Sequence, residues 1–211
     1  MKRRRFLCHS LSAILIAATS LSASLAAADE VAPDETIKRL LTDVIDTVKN
    51  DKAARAGDNS KLAGFVDSKI MPFVNFPRMT AAVVGPAWRQ ATPDQQRRLQ
   101  EEFKTLLVTV YAGALSQLKD KTVTVKPLKG SPNDKEVLVR AELKGAGEVI
   151  NLDYRLEKPT DSGWKIYNLN VMGVWLSETY RSQFAQELNA SGIDGLINSL
   201  SERNKSNRKK A

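Results

Sequence analysis

Cysteine and histidine are almost absent from the 211 residues: there is one of each, Cys8 and His9, both within the first nine positions. The rest of the chain offers no disulfide, thiolate nucleophile, imidazole base or His/Cys metal site, which removes most common catalytic constellations. Long apolar runs are equally scarce. The one present, Leu11 to Leu25, follows Lys2, Arg3, Arg4 and Arg5 and ends in Ala26-Ala27-Ala28, the pattern of a secretory signal peptide over residues 1–28. Arg3-Arg4-x-Phe6-Leu7 also fits a twin-arginine signal, so the Sec and twin-arginine routes both stay open. Cys8 precedes the apolar stretch, against a lipoprotein, and no later run approaches the ~20 apolar residues of a membrane span. The expected location is the periplasm of a bacterial cell envelope, as a soluble chain.

A surplus of positive charge exists only at the ends. Of 32 Lys and Arg, four precede residue 29 and five follow residue 202, leaving 23 between them against 24 Asp and Glu. A near-neutral body disfavours nucleic acid as a partner. Residues 203–211 carry Arg203, Lys205, Arg208, Lys209 and Lys210 with no acid and read as a basic disordered tail, with anionic lipid surfaces as a secondary possibility. Residues 29–202 fit one compact domain, expected as a monomer.

Within that domain, helical spacing of Ile37, Leu40, Leu41, Val44, Ile45 and Val48 predicts an amphipathic helix over 33–51. Short helices follow at Lys61 to Ile70 and Pro77 to Val84. The most regular stretch is Thr92 to Leu118, where Thr92 and Gln95 make a capping box and Leu99, Phe103, Leu106, Leu107, Val110, Tyr111, Ala114 and Leu118 share a face. Such a helix is roughly 39 Å long and must pack along most of the domain. The period then changes to 2 in four segments, Thr122 to Leu128, Glu136 to Leu143, Glu148 to Glu157 and Trp164 to Val171, joined by short turn-rich connections. A four-stranded antiparallel meander results. Ile150, Leu152, Tyr154 and Leu156 oppose Asn151, Asp153, Arg155 and Glu157, so helices cover one face only. With two C-terminal helices at Leu176 to Leu188 and Ile193 to Leu200, the fold class is α+β.

Sequence patterns that would carry catalysis fail on context. Ser116-Gln-Leu-Lys119 has the spacing of a serine acyl-enzyme motif, but Ser116 ends a long helix and Lys121-Thr lacks the companion Gly. Asp153 and Glu157 share a strand face about 13 Å apart, beyond the ~9.5 Å of an inverting glycosidase pair. Gly145-Ala-Gly147 lies between strands and lacks the third Gly of a dinucleotide loop, which leaves a hairpin turn. What stays conspicuous is apolar and aromatic. Those side chains form either a plain core or the lining of an apolar cavity between sheet and helices.

Two stretches narrow that choice. Phe76 to Arg98, FPRMTAAVVGPAWRQATPDQQRR, runs apolar helix, Gly, Trp, Thr-Pro capped helix; Gly163 to Phe184, GWKIYNLNVMGVWLSETYRSQF, runs Trp-Lys-Ile-Tyr, Gly-Val, Tyr-Arg-Ser-Gln-Phe. Both resemble the MlaC family of periplasmic phospholipid-binding proteins, also called toluene-tolerance proteins, and the likeness spans nearly the whole chain after the signal. Asn168, Met172 and Trp175 depart from it, where Asp, Glu and Ser are usual. The resemblance implies a non-enzymatic carrier that holds phospholipid tails between a curved sheet and helices. It would shuttle lipid between an outer-membrane lipoprotein complex and an inner-membrane ABC transporter with its substrate-binding subunit, maintaining outer-membrane lipid asymmetry. Phospholipid is then cargo, and no cofactor is expected.

On that reading the tail pocket comprises Phe73, Phe76, Met79, Val83, Val84, Leu107, Tyr111, Leu152, Tyr154, Tyr167, Leu169, Val171 and Met172. Arg78, Lys165 and Arg181 are weaker candidates for headgroup phosphate contact. The alternatives are an envelope hydrolase using a carboxylate, Tyr or Lys, and a structural adaptor without ligand, marked by no elongated cavity between long helix and sheet.

Overall fold

A computed structural model describes residues 31–51, 59–131, 134–159 and 163–210. The expected signal peptide lies outside the described residues. Helix α1, Pro33–Asn50, starts on a proline with Asp34 and Glu35 in its first turn and Lys49 in its last, all favourable to the helix dipole. It buries the six apolar residues whose spacing predicts it. Helix α2, Asn59–Phe65, loosens into a π-helical stretch at Val66–Ile70 and a 3₁₀ turn at Met71–Phe73, where Pro72 has no amide hydrogen to continue the ladder. Helix α3, Phe76–Val84, is capped by Asn75, whose Oδ1 accepts the Arg78 amide at 3.1 Å.

Helix α4, Pro93–Ser116, carries the predicted capping box in full: the Gln95 amide donates to Thr92 Oγ1 at 3.2 Å and the Thr92 amide to Gln95 Oε1 at 3.0 Å. Its last predicted residues tighten into a 3₁₀ turn, Gln117–Asp120.

The sheet has five strands in the order β1-β2-β3-β4-β5, all antiparallel: Lys121–Val125, Glu136–Gly145, Ile150–Glu157, Lys165–Val171 and Val174–Trp175. The meander is as expected, and the fifth strand corrects the count of four. Met172 and Gly173 form a two-residue turn with φ of 53° and 90°, so Val174 and Trp175 fold back to pair with Val171 and Asn170. Such a turn wants Asn-Gly or Gly-Gly, and Met at its first position hides the hairpin from a reading by residue type. At the opposite end, Gly145 pairs with Lys121 where an added Cβ would lie 2.3 Å from the Asp120 carbonyl oxygen, a contact only glycine tolerates.

Helix α5 spans Leu176–Lys210 and breaks at Gly192, φ 67° and ψ −167°. The two expected C-terminal helices are therefore its two segments. The second is longer than predicted and corrects the disordered tail: residues 203–210 are helical. Asn204 explains why, since its Nδ2 donates to the Glu102 carbonyl at 2.9 Å and to Glu102 Oε2 at 2.7 Å, tying the end of α5 to α4.

One sheet face packs on the helices. Val137, Val139, Ala141 and Leu143 pair across the strands with Leu156, Tyr154, Leu152 and Ile150, and all but Ile150 are buried. The other face is charged, with Glu142 bridging Lys126 and Lys144 and Arg140 opposite Asp153.

Candidate functional site

The seam between sheet and helices collects the predicted pocket residues. Phe76, Met79, Val83 and Val84 from α3 and Leu152 and Tyr154 from β3 are buried in one apolar cluster, and Phe73, Leu107, Tyr111, Leu169 and Val171 pack half-buried around it. Local structure accounts for this: positions 76, 79 and 83 fall on one side of a helix, while 152, 154, 169 and 171 share a face by strand alternation and direct pairing.

Two predicted lining residues are elsewhere. Met172 is 42% exposed at the hairpin tip, its sulfur 3.2 Å from the Asn151 amide that donates to it. The positive φ of the turn lifts this side chain off the sheet. Tyr167 sits at a β-bulge, where the β3–β4 register slips between Arg155 and Leu156. Strand alternation therefore misplaces it. Its hydroxyl donates to Glu136 at 2.8 Å, and the Arg78 guanidinium stacks on its ring at 3.6 Å.

The heart of the seam is aromatic. Phe103 of α4, fully buried, touches Phe76 at 5.7 Å, Tyr180 at 5.1 Å and Phe184 at 5.3 Å between ring centroids, so one side chain joins α3, α4 and α5. Tyr180 and Tyr111 hydrogen-bond through their hydroxyls; burial, with that neighbour, pushes Tyr180 up to about 12, and burial raises Tyr111 too. Burial drives Tyr154 higher still. All three phenols stay neutral at any physiological pH. Phe103, Tyr180, Phe184, Trp164 and Ile166 belong to the seam without being among the predicted lining. The i, i+4 pair Tyr180 and Phe184 was the signal available for finding it.

The predicted headgroup cations do not converge on an open anion site. Arg78 bridges Glu136, at 2.6 Å, and Glu157. These carboxylates stand directly opposite each other on β2 and β3. Burial opposes the guanidinium charge, but hydrogen bonds to the two glutamates outweigh it and raise the Arg78 pKa; hydrogen bonds from Arg78 and then Tyr167 hold Glu136 below the usual carboxylate range. Asn75 Nδ2 donates to the same Glu157 at 2.6 Å, and the Asn75 amide to the Ile166 carbonyl at 2.8 Å. Lys165 donates to the Pro72 carbonyl at 2.6 Å. Together these contacts fasten the start of α3 to the sheet rim, with Arg78 as a latch and Lys165 as a tie. Arg181 is exposed near Gly85, away from the latch.

Two surface clefts lie outside the seam centre. One, about 580 Å³, is lined by Asp43, Asp46, Thr47, Asn50, Asp51 and Lys69. The other, about 280 Å³, opens on the outer sheet face beside Arg155, Tyr167 and Trp175, with the Arg155 guanidinium 4.1 Å from the Trp175 ring. Among the described residues no three His, Cys, Asp or Glu groups are placed to hold a metal ion, and no helix is long and apolar enough to cross a membrane.

Residues 38–202 match the model of the MlaC protein family. The chain belongs to that family. Among MlaC relatives, it is 25% identical over 163 residues to the toluene tolerance protein ttg2D of Pseudomonas putida, covering 77% of this chain and 75% of that one. It is 22% identical over 195 residues to the intermembrane phospholipid transport system binding protein MlaC of Haemophilus influenzae, covering 91% and 88%. A solved structure of a phospholipid-binding protein from Ralstonia solanacearum, in complex with a phospholipid, superimposes with a TM-score of 0.81 at 41% identity, over 84% of this chain and 99% of that one.

Proposed function

We propose that this MlaC protein is a periplasmic phospholipid carrier that shelters acyl chains in the seam between its sheet and helices α3, α4 and α5. One observation carries the reading: all the residues predicted to line a pocket except Tyr167 and Met172 pack in one apolar cluster, in a fold whose 41% identical relative was solved with a phospholipid bound. Two acyl chains of roughly 30 methylenes need ~20 kcal/mol of shelter from water, at about 0.8 kcal/mol per CH₂. A dry protein seam supplies that, and transfer to or from a bilayer is then near thermoneutral and needs no chemistry. The partners are an outer-membrane lipoprotein complex and an inner-membrane ABC transporter with its substrate-binding subunit. Passing lipid between them serves outer-membrane asymmetry.

No catalytic role is proposed. Arg78, Glu136, Glu157 and Tyr167 converge, but they engage one another at a packing joint. A structural adaptor is the second reading; the lipid complex of the relative supports the carrier instead. Two acyl chains fill a space of several hundred Å³, and α3 is the wall element suited to move as they enter, being short and held at its N-terminus by polar contacts. Lipid extracted from protein purified without detergent, analysed by mass spectrometry, tests the proposal. About one phospholipid per chain, or uptake to that level from liposomes, is expected; neither would be seen in an adaptor.

A further inference from the structure

From Arg203 onward the helical end of α5 lies beyond the apolar cluster of the seam, and its chemistry is distinct from the rest of the molecule. From Arg203 onward there are five cations and no acid, on a body that otherwise balances 23 Lys and Arg against 24 Asp and Glu. In the structure this basic segment is a held helix. Leu196, Ile197, Leu200 and Asn204 are buried on one side of it, with Asn204 fastened to Glu102, while Arg203, Lys205, Arg208 and Lys209 are all exposed.

Local partners account for part of this charge. Lys205 pairs with Glu202 at 2.8 Å and Arg203 donates to Gln183 at 3.2 Å. Glu102 is engaged by Asn204, and Glu101 pairs with Arg97 on α4. Arg208 and Lys209 make no salt bridge among the described residues. One or two cations in a last turn complement the helix dipole; four exposed ones over two turns, without an acid, exceed that need.

We propose that this arm is a docking surface for an anionic phospholipid bilayer, which it engages through phosphate headgroups. Charge complementarity selects that occupant: a planar anionic surface meets a short exposed helix whose cations point outward on three sides, and the neutral body adds no long-range repulsion. A basic face shaped to follow nucleic acid would extend over the domain, and here the run of cations without an acid begins only at Arg203. The inference goes beyond the carrier reading and does not depend on it, since docking by the arm requires no occupied seam.

The test is flotation of the protein, recovered from the cell envelope with its N-terminus verified by mass spectrometry, on vesicles of phosphatidylglycerol and phosphatidylethanolamine and on vesicles of phosphatidylcholine alone. Each basic residue near an anionic surface contributes roughly fivefold to partitioning. The doubly substituted Arg208→Glu, Lys209→Glu protein should therefore bind anionic vesicles at least about twentyfold more weakly. Wild-type binding should fade in about 0.5 M salt, where the Debye length is about 4 Å. Both positions are exposed, so thermal stability and lipid content should stay at wild-type levels. Arg208→Gln, Lys209→Gln removes the charge without adding repulsion and should fall between. Equal binding to both vesicle types, equal binding by wild type and the Glu variant, or retention on RNA but not on vesicles would overturn the proposal. Loss of bound lipid in the wild-type protein would instead count against the carrier and leave the flotation result standing.

Discussion

Arg78→Ala should do more than remove a surface ion pair, because Glu136 and Glu157 are cross-strand neighbours and like charges directly opposite on a sheet repel. Arg78 is the countercharge that makes this pairing tolerable. Side-chain exposure sets the size of each loss: 35% for Arg78, 52% for Glu136 and 18% for Glu157. The half-exposed Glu136 contact contributes about 0.5 kcal/mol after solvent screening. The more buried Glu157 contact contributes about 1.5 kcal/mol, and stacking on Tyr167 about 0.5 kcal/mol. With the released repulsion, Arg78→Ala should cost about 2–3 kcal/mol, a Tm drop of roughly 5–10 °C for a chain of this size. Urea unfolding followed by circular dichroism measures it. In a cycle with Glu157→Gln the coupling should be about 1–1.5 kcal/mol, since the second substitution relieves the charge that the first exposes. The latch also holds α3 down, so Arg78→Ala should take up fluorescent phospholipid from vesicles faster. A loss below ~0.5 kcal/mol, or no coupling within the ~0.5 kcal/mol of additive sites, would refute the reasoning.

The same latch sets a pH dependence: with Glu136 held low, its contribution is complete above the unfolded carboxylate value of about 4.3 and is lost as pH falls through the lower folded value. The stability gap between wild type and Glu136→Gln should then be flat from about pH 6 to 8 and close below about pH 4 in acid titrations at fixed urea. Phe103→Ala removes the ring that joins α3, α4 and α5 and should cost about 3–5 kcal/mol, read by calorimetry; a loss under ~1 kcal/mol would mean the seam refills easily. Met172→Asn suits a turn with two positive φ angles and should stabilise by about 0.5–1 kcal/mol. Met172→Glu should leave lipid content unchanged, because position 172 points to solvent.

Elements with regular periodicity were legible in the sequence: α1 and α4 from their apolar stripes, α4's start from Thr92 and Gln95, and the meander from alternation and turn residues. The packing of the seam was legible to the same degree. Residues placed by helix or strand period, such as Phe76, Met79, Val83, Leu152 and Tyr154, reached the seam, and those at irregularities did not. Tyr167 turned away at a bulge and Met172 at a positive φ, and both features come from backbone geometry that residue type does not announce. The helical tail was missed for another reason. Its composition is that of a solvated coil, and tertiary contacts, chiefly Asn204 on Glu102, hold it in a helix.

These irregularities also bear on the proposed carrier role. The sheet is held by continuous antiparallel ladders and by an outer face of crossed charges, so it resists bending as a unit. The helical wall is segmented: a π-helical stretch at Val66–Ile70, 3₁₀ turns at Met71–Phe73 and Gly85–Arg89, and the break at Gly192 flank short helices. Each break marks a place where few backbone hydrogen bonds must be lost for the neighbouring helix to swing. α3 lies between two of them, with the polar latch at its N-terminus and Gly85 at its C-terminus. Its buried face, Phe76, Met79, Val83 and Val84, would exchange contacts with Phe103 and β3 for contacts with acyl chains, apolar for apolar, at little net cost per Å². The polar contacts of Arg78 and Asn75 have no equivalent in a lipid tail. On the proposed carrier reading they set the free energy of moving α3, and the rim of the seam is then the control point for loading.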